Sequence, residues 1–189
     1  MNDLPRVIPQ RLEGDETVGG FRIDEFWKWA FSNLLDNSLR GLFAEWLVAK
    51  AVGAASDVRE EWAPYDVSIG DVKLEVKSSA YVQTWAQRAP SRPVFAIGPT
   101  RAWNQDTGEY ATTSQRQANV YVFCLLAEKN PEKVDPLDLT QWEFFVLPTS
   151  VLDARLPTQK SISLSALRAL GAEESGFEGL GAAIERAAS

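Results

Sequence analysis

The sequence predicts a single α/β domain in which a mixed β-sheet is flanked by helices. Three observations carry this expectation. Residues 65–77 alternate apolar and polar side chains on both sides of a Gly-Asp pair, two upstream stretches repeat apolar residues with helical spacing, and two later runs, 118–126 and 142–148, read as buried strands. At 189 residues, with 45% hydrophobic and 11% aromatic content, the chain can enclose one core and is short for two.

Taken in order, residues 1–23 read as an irregular arm containing Pro5 and Pro9. Asp24 suits the N-cap of a helix to about Leu35. Phe26, Trp27, Trp29, Ala30, Phe31, Leu34 and Leu35 cover more than one stripe of it, which predicts a buried packing helix or a homodimer contact through 24–35. Asn37 or Ser38 caps a second helix to about Val52, with Gly53 as its stop and Leu39, Leu42, Phe43, Trp46 and Leu47 as its buried face. Residues 54–63, with Trp62, form a loop or short strand before the hairpin. After Lys77, SSAYVQTWAQRAPSRP suits a continued strand or a helix, and Pro90 and Pro93 end either. Residues 94–97 read as a strand and 104–109 as a turn. The strands at 118–126 and 142–148 follow, so the sheet is expected within 65–147. Ser163 or Ser165 caps a helix to Leu170, and beyond Gly171 comes an acidic, Ala- and Gly-rich tail with a short final helix from about Leu180.

The hairpin carries an unusual set of charges. Tyr65, Val67 and Ile69 alternate on one arm and Val72, Leu74 and Val76 on the other, and Gly70-Asp71 suits a two-residue loop. This register pairs Ile69 with Val72, Ser68 with Lys73, Val67 with Leu74, and Asp66 with Glu75. Two carboxylates then oppose each other on one face, which Lys77 shares. Like charges across a strand pair repel, so the arrangement needs a cation or solvent. Magnesium suits it, because the ion takes one or two protein carboxylates and keeps positions for water and a phosphate oxygen. A solvated, charged hairpin face is the plain alternative. Upstream, Glu45 has Gly41, Leu42, Val48 and Ala49 one turn away, a small or apolar surface on which a carboxylate needs a partner. Pairing with Arg40 or Lys50 is one reading of it.

Asp66, then Glu75-Val76-Lys77 and Ser78-Ser79, with Pro64 two residues before the aspartate, resemble the core of the PD-(D/E)XK nuclease superfamily. Glu45, in LRGLFAEWLVAKAVG, is similar to the glutamate that such enzymes carry on the preceding helix, and SQRQANVYVFCLL resembles the strand after their active-site hairpin. The resemblance covers roughly residues 38–126. It implies a restriction-endonuclease-like fold and a Mg2+- or Mn2+-dependent nuclease hydrolysing phosphodiester bonds, with DNA as the expected substrate. Asp66, Glu75 and the Val76 carbonyl would hold the metal, Lys77 would position the attacking water, and Glu45 would support this metal or a second one. Gln83 or Gln87 would match the glutamine that some of these families place after the lysine strand. The rival is a catalytically silent module that binds nucleic acid or protein on the same scaffold.

The chain contains no histidine, which excludes a Ser-His-Asp triad, a Cys-His pair and an HExxH zinc site. No glycine-rich phosphate loop stands between a strand and a helix. The lone Cys124 lies in an apolar run and reads as an inert core thiol. A net charge of −7 opposes a broad electrostatic grip on nucleic acid, although Asp135, Asp138, Glu173, Glu174, Glu178 and Glu185 lie far along the chain from the hairpin. Arg40, Lys50, Lys73, Lys77, Arg88, Arg92, Arg101 and Arg116 supply cations for a local rim. Arg116 reads as a phosphate contact or a surface residue, and Tyr81 and Trp85 as base-stacking or buried rings. With neither a long apolar run nor an apolar segment in MNDLPRVIPQ, no membrane span or secretion is expected, and the cytoplasm is the expected location.

Overall fold

The run Val120–Leu126 is buried along its whole length, so it needs cover on both faces and a partner at each edge. The computed structural model, which describes residues 11–55, 58–59, 61, 63–104 and 107–189, supplies all of these. In chain order, β1 (Thr17–Val18) and β2 (Phe21–Arg22) lead into α1 (Ile23–Phe31) and α2 (Asn37–Ala51). Then come β3 (Val67–Ile69), β4 (Val72–Ala80), β5 (Val94–Ala96), β6 (Trp103–Asn104), β7 (Glu109–Tyr110) and β8 (Val120–Leu126). The chain ends with β9 (Trp142–Pro148), α3 (Thr149–Arg155), β10 (Ser161–Ser163), α4 (Leu164–Ala169), β11 (Glu173–Ser175) and α5 (Phe177–Ala188).

The main sheet has five strands in the order β11-β9-β8-β4-β3. It is mixed, because β4 and β8 run parallel while the other pairs are antiparallel. Alternate side chains serve two cores. Leu74, Val76, Val120, Val122, Phe144 and Val146 pack under α2 and α5. Tyr121, Phe123, Leu125, Phe145 and Leu147 pack under α3, α4 and the separate β5–β10 pair. The α/β class and the mixed, helix-flanked sheet are thus as expected, and so is the hairpin register, with Val67 opposite Leu74 and Ile69 opposite Val72.

Several expectations change. Asp24 lies inside the first turn of α1, which starts one residue earlier, with Arg22 as the cap residue. This helix buries none of its residues, and Trp29 stands 84% exposed, so it is not a packing helix. Asp36, rather than Asn37 or Ser38, caps α2 by accepting from the N–H groups of Ser38 and Leu39. The buried residues of α2 are Arg40, Ala44, Leu47 and Val48, with Phe43 half-buried against the same core, so of the expected face Leu47 is buried and Leu39 and Leu42 are not. Trp46 stays at the rim, stacked with Phe43 and capped by the Lys50 ammonium. Of the two readings for the segment after Lys77, the continued strand holds as far as Ala80, and residues 81–93 form neither strand nor helix. The expected C-terminal tail is integral: β11 pairs with β9 at the sheet edge, and Leu180, Ala183 and Ile184 of α5 are buried. Cys124 is buried, and desolvation pushes its thiol pKa far up, as suits a core thiol. Trp62 and Pro5 to Pro9 lie outside the described residues.

Candidate active site

The site forms where β3 ends and the edge of β4 opens. Asp66 stands just before β3, and its N–H donates at 3.0 Å to the carbonyl of Leu74, the partner of Val67, so the regular ladder stops there. Beyond that point a side chain replaces the missing strand, since Asp66 Oδ2 accepts the Val76 N–H at 2.7 Å. A strand residue's N–H and C=O leave the same edge, so the Val76 carbonyl is presented there as well. Glu75 and Lys77 alternate with Leu74 and Val76, which enter the core under α2, and therefore leave β4 on the other face. The Lys77 Nζ reaches back to Glu75 Oε1 at 2.5 Å and lies 3.8 Å from Asp66 Oδ2. One ammonium thus joins both carboxylates, although the regular pairing ends at Val67 and Leu74, one step short of the expected pairing of Asp66 with Glu75.

Burial sets the proton affinities. Desolvation raises the Glu75 pKa above the ordinary carboxylate value, against the pull of Lys77, and Asp66 adds to the rise. For Lys77 desolvation is the largest single influence and acts downward, yet Glu75 and Asp66 together lift its pKa above the ordinary value, so it stays an ammonium. Glu45 stands on α2, on the far side of the open edge. Desolvation raises its pKa, Arg59 opposes this, and the charges of Asp66 and Lys77 both act on it, which places Glu45 within the same electrostatic cluster. Its partner is neither Arg40 nor Lys50. Arg59 Nε and Nη2 donate to the two Glu45 oxygens at 2.5 and 3.1 Å. Asp66 lies between two clefts, one of about 240 Å³ that also contains Glu45, Trp46 and Arg59, and one of about 230 Å³ that also contains Glu75 and Trp103.

Arg40 is a residue of the frame. It is 4% exposed, and it donates to Asn37 Oδ1 at 2.7 Å, Leu35 O at 3.1 Å and Ser78 Oγ at 3.1 Å, locking α2 to β4 one residue past Lys77. Gln83 lies close to this knot, accepting from Arg40 and donating to the Ala80 carbonyl. Gln87 closes the following loop, accepting the Gln83 N–H and donating to Tyr81 O and Ser91 Oγ. Both glutamines are therefore engaged in shaping the turn after β4, where Trp85 is exposed. Arg116 departs from either expected role. Its guanidinium is enclosed in the fold and donates to Ile97 O, Leu156 O and Asp153, which pins the chain before β8 to α3 and leaves no accessible face for a phosphate.

Sequence reading overlooked Arg59, because it lies in a segment without periodicity and no spacing ties it to Glu45. It also passed over the β6–β7 hairpin, whose Trp103 and Tyr110 line the cleft beside Asp66 and Glu75. An aromatic at each end of a predicted turn was the available signal.

Among the described residues no three acidic, cysteine or histidine side chains gather as a ready metal-ligand set. The donors that fit a hard divalent ion are the two carboxylates joined by Lys77 and the Val76 carbonyl at the open edge, which is within the small number of protein ligands that Mg2+ takes. The Lys77 ammonium acts as a stand-in, marking where positive charge is stabilised.

Carboxylates grouped with an ammonium at an open strand edge, in a chain without histidine, are a set of groups that metal-assisted hydrolysis can use. Residues 26–166 match the family model described as Bacteriophage T4 endonuclease IV. The match takes in well over half of the chain, including Glu45, Asp66, Glu75 and Lys77, and the protein belongs to that family. No curated protein matches the chain, and no solved structure does.

Proposed function

We propose that the protein is a Mg2+- or Mn2+-dependent endonuclease that hydrolyses phosphodiester bonds in DNA, with an active site of the PD-(D/E)XK type on a restriction-endonuclease-like sheet. The observation that carries this reading is the Lys77 ammonium joining Asp66 and Glu75 where the edge of β4 is open. Asp66, Glu75 and the Val76 carbonyl would hold the metal, which when bound supplies Lewis-acid polarisation of a phosphate oxygen and a more acidic water. Lys77, kept protonated by its two neighbours, orients the attacking water and stabilises the charge that develops on phosphorus. Glu45, held by Arg59, is the supporting carboxylate on the α2 side of the same edge. Asp66 also fixes the strand geometry through the Val76 N–H, so one side chain links the fold to the site.

The test is incubation of the protein with circular, linear, single-stranded and branched DNA, with Mg2+, Mn2+ or chelator. Cleavage of closed circular DNA that requires metal and is lost in Asp66→Asn is the expected result. Cutting that persists in chelator, or in Asp66→Asn, would remove this site from the reaction. Binding without cutting under every condition returns the silent-module alternative, which the net charge of −7 alone does not favour as a nucleic-acid binder.

A further inference from the structure

The hairpin of β6 and β7 overhangs the open edge of β4 and belongs to neither core. Trp103 and Tyr110 face each other across it, ring centroids 4.7 Å apart at 60°. The Arg101 guanidinium lies 5.7 Å over the Tyr110 ring and is held by a hydrogen bond from Nε to the Ala111 carbonyl. On the opposite wall the Lys73 ammonium lies 5.2 Å over the Tyr65 ring. Between these walls is a cleft of about 620 Å³, lined by Tyr65, Trp103 and Tyr110 and, among polar groups, by Asn104, Thr107 and Glu109. It shares Pro64, Tyr65, Trp103 and Tyr110 with the smaller cleft that contains Asp66 and Glu75, so the two form one continuous groove.

Partly exposed aromatic rings with cations and polar side chains beside them are the kind of surface that a nucleobase uses, the base taking the place of a cation on a ring face. Tyr110 keeps 53% of its surface exposed. The volume is in the range of small-ligand clefts, and its position is one step from the carboxylates. Arg101 and Lys73 bring positive charge beside a groove whose lining also carries Glu109, Glu61, Asp66 and Glu75.

We propose that this cleft is a nucleobase subsite, in which a base of the strand being cut, next to the phosphate at Asp66 and Glu75, stacks against Tyr110 and Trp103 and presents its edge to the polar residues of the hairpin. The proposal rests on the phosphodiester site described above and adds a base-reading element to it. Arg101 and Lys73 then flank the strand on either side of the stacked base.

The experiment uses the full chain with Mg2+ or Mn2+ and labelled oligonucleotides whose cut position has been mapped. In a series, one nucleotide at a time near the cut is made abasic, and kcat/KM is measured for wild type, Tyr110→Ala, Tyr110→Phe and Trp103→Ala. One abasic position beside the cut should lower the wild-type value roughly tenfold or more, the size expected for losing one stacked base. Tyr110→Ala should lower the value on intact DNA by a similar factor and be indifferent to that lesion, whereas Tyr110→Phe should behave like wild type. Non-additivity of this kind shows that the ring and the base act together. Uniform insensitivity of wild type to every abasic position, or losses that simply multiply, would overturn the subsite. If Tyr110→Ala does not fold, as judged by melting curves, Tyr110→Leu keeps apolar volume without a ring face and takes its place. If wild type cuts no DNA, the nuclease reading fails by itself, and the subsite is decided by fluorescence anisotropy with the intact oligonucleotide. There Tyr110→Ala must bind more weakly than wild type, and equal affinity would refute the subsite.

Discussion

Lys77 shows how a single side chain can serve two masters, because its ammonium balances Glu75 and Asp66 in the free protein and would meet the phosphate in the working one. Lys77→Ala should reduce cleavage by about 10²-fold or more, the usual contribution of a positioned transition-state charge. Melting near the wild-type temperature would show that the loss is chemical, and undiminished turnover would remove Lys77 from the reaction. Glu75 makes a prediction about pH in the metal-free protein. Burial raises its folded-state pKa above the ordinary 4.5, so the fold holds a proton there that the unfolded chain has lost. The stability from this group is therefore fully present below the ordinary value and disappears as pH rises through the raised one. In chelator, wild type should lose stability relative to Glu75→Gln as pH climbs from 4.5 through the weakly acidic range, measured by urea unfolding at each pH. A difference that grows as pH falls would mean that the Lys77 pair outweighs desolvation.

Among the elements, α2 and α5 decide how closely the sheet is covered. Their contact is tight at Gly181 of α5, where an added Cβ would lie 2.8 Å from the Ala51 carbonyl oxygen of α2. Alanine in place of glycine ordinarily favours a helix interior by about 1 kcal/mol. A backbone clash costs about 1–3 kcal/mol, and it wins here because a carbonyl cannot rotate away. Gly181→Ala should thus destabilise, while Gly41→Ala in α2, which has nothing within 4 Å of the new atom, should stabilise by roughly 0.5–1 kcal/mol. Denaturant midpoints of the two variants give the comparison directly, and a stabilising Gly181→Ala would show that α5 can shift. The same contact explains why a segment that reads as a tail is part of the core, for α5 is the lid of the half that carries α2 and Glu45.

For the whole molecule, metal binding should appear as added stability. A ligand that binds only the folded state contributes about 1.4 kcal/mol at ten times its Kd. In a domain of this size that corresponds to roughly 3–6 °C in Tm. Wild type should show such a shift with Mn2+ or Mg2+ over chelator, and Glu75→Gln should show much less. Equal shifts in both proteins would place any metal elsewhere. The second whole-molecule feature is α1, where Phe26, Trp29 and Phe31 are all exposed and Phe21 of the adjoining hairpin is 66% exposed. An aromatic face of this kind is covered in most proteins, and a second copy of the chain is the occupant proposed for it. Sedimentation should detect a concentration-dependent dimer that Trp29→Ser abolishes. A monomer at all concentrations would rule that occupant out.

Local pattern alone determined a good deal of this protein. Period-2 alternation and a Gly-Asp loop set the β3–β4 register from Ile69–Val72 to Val67–Leu74, and the same alternation put Glu75 and Lys77 on one face of β4. The unbroken apolar run at β8 marked the centre of the sheet, and Glu45 stood out as a carboxylate on an apolar stretch of helix. These features are legible because they depend on neighbours a few residues away. Tertiary structure decided what depends on distant partners. Arg59 meets Glu45 and Arg116 meets Ile97, Leu156 and Asp153 only after the loops have closed, since a long cation reads the same in sequence whether it ends in solvent or on a carbonyl. The burial of α5 against α2, the exposure of α1 and the overhang of Trp103 and Tyr110 above the open edge of β4 follow from how whole elements pack, which no spacing within any one of them encodes.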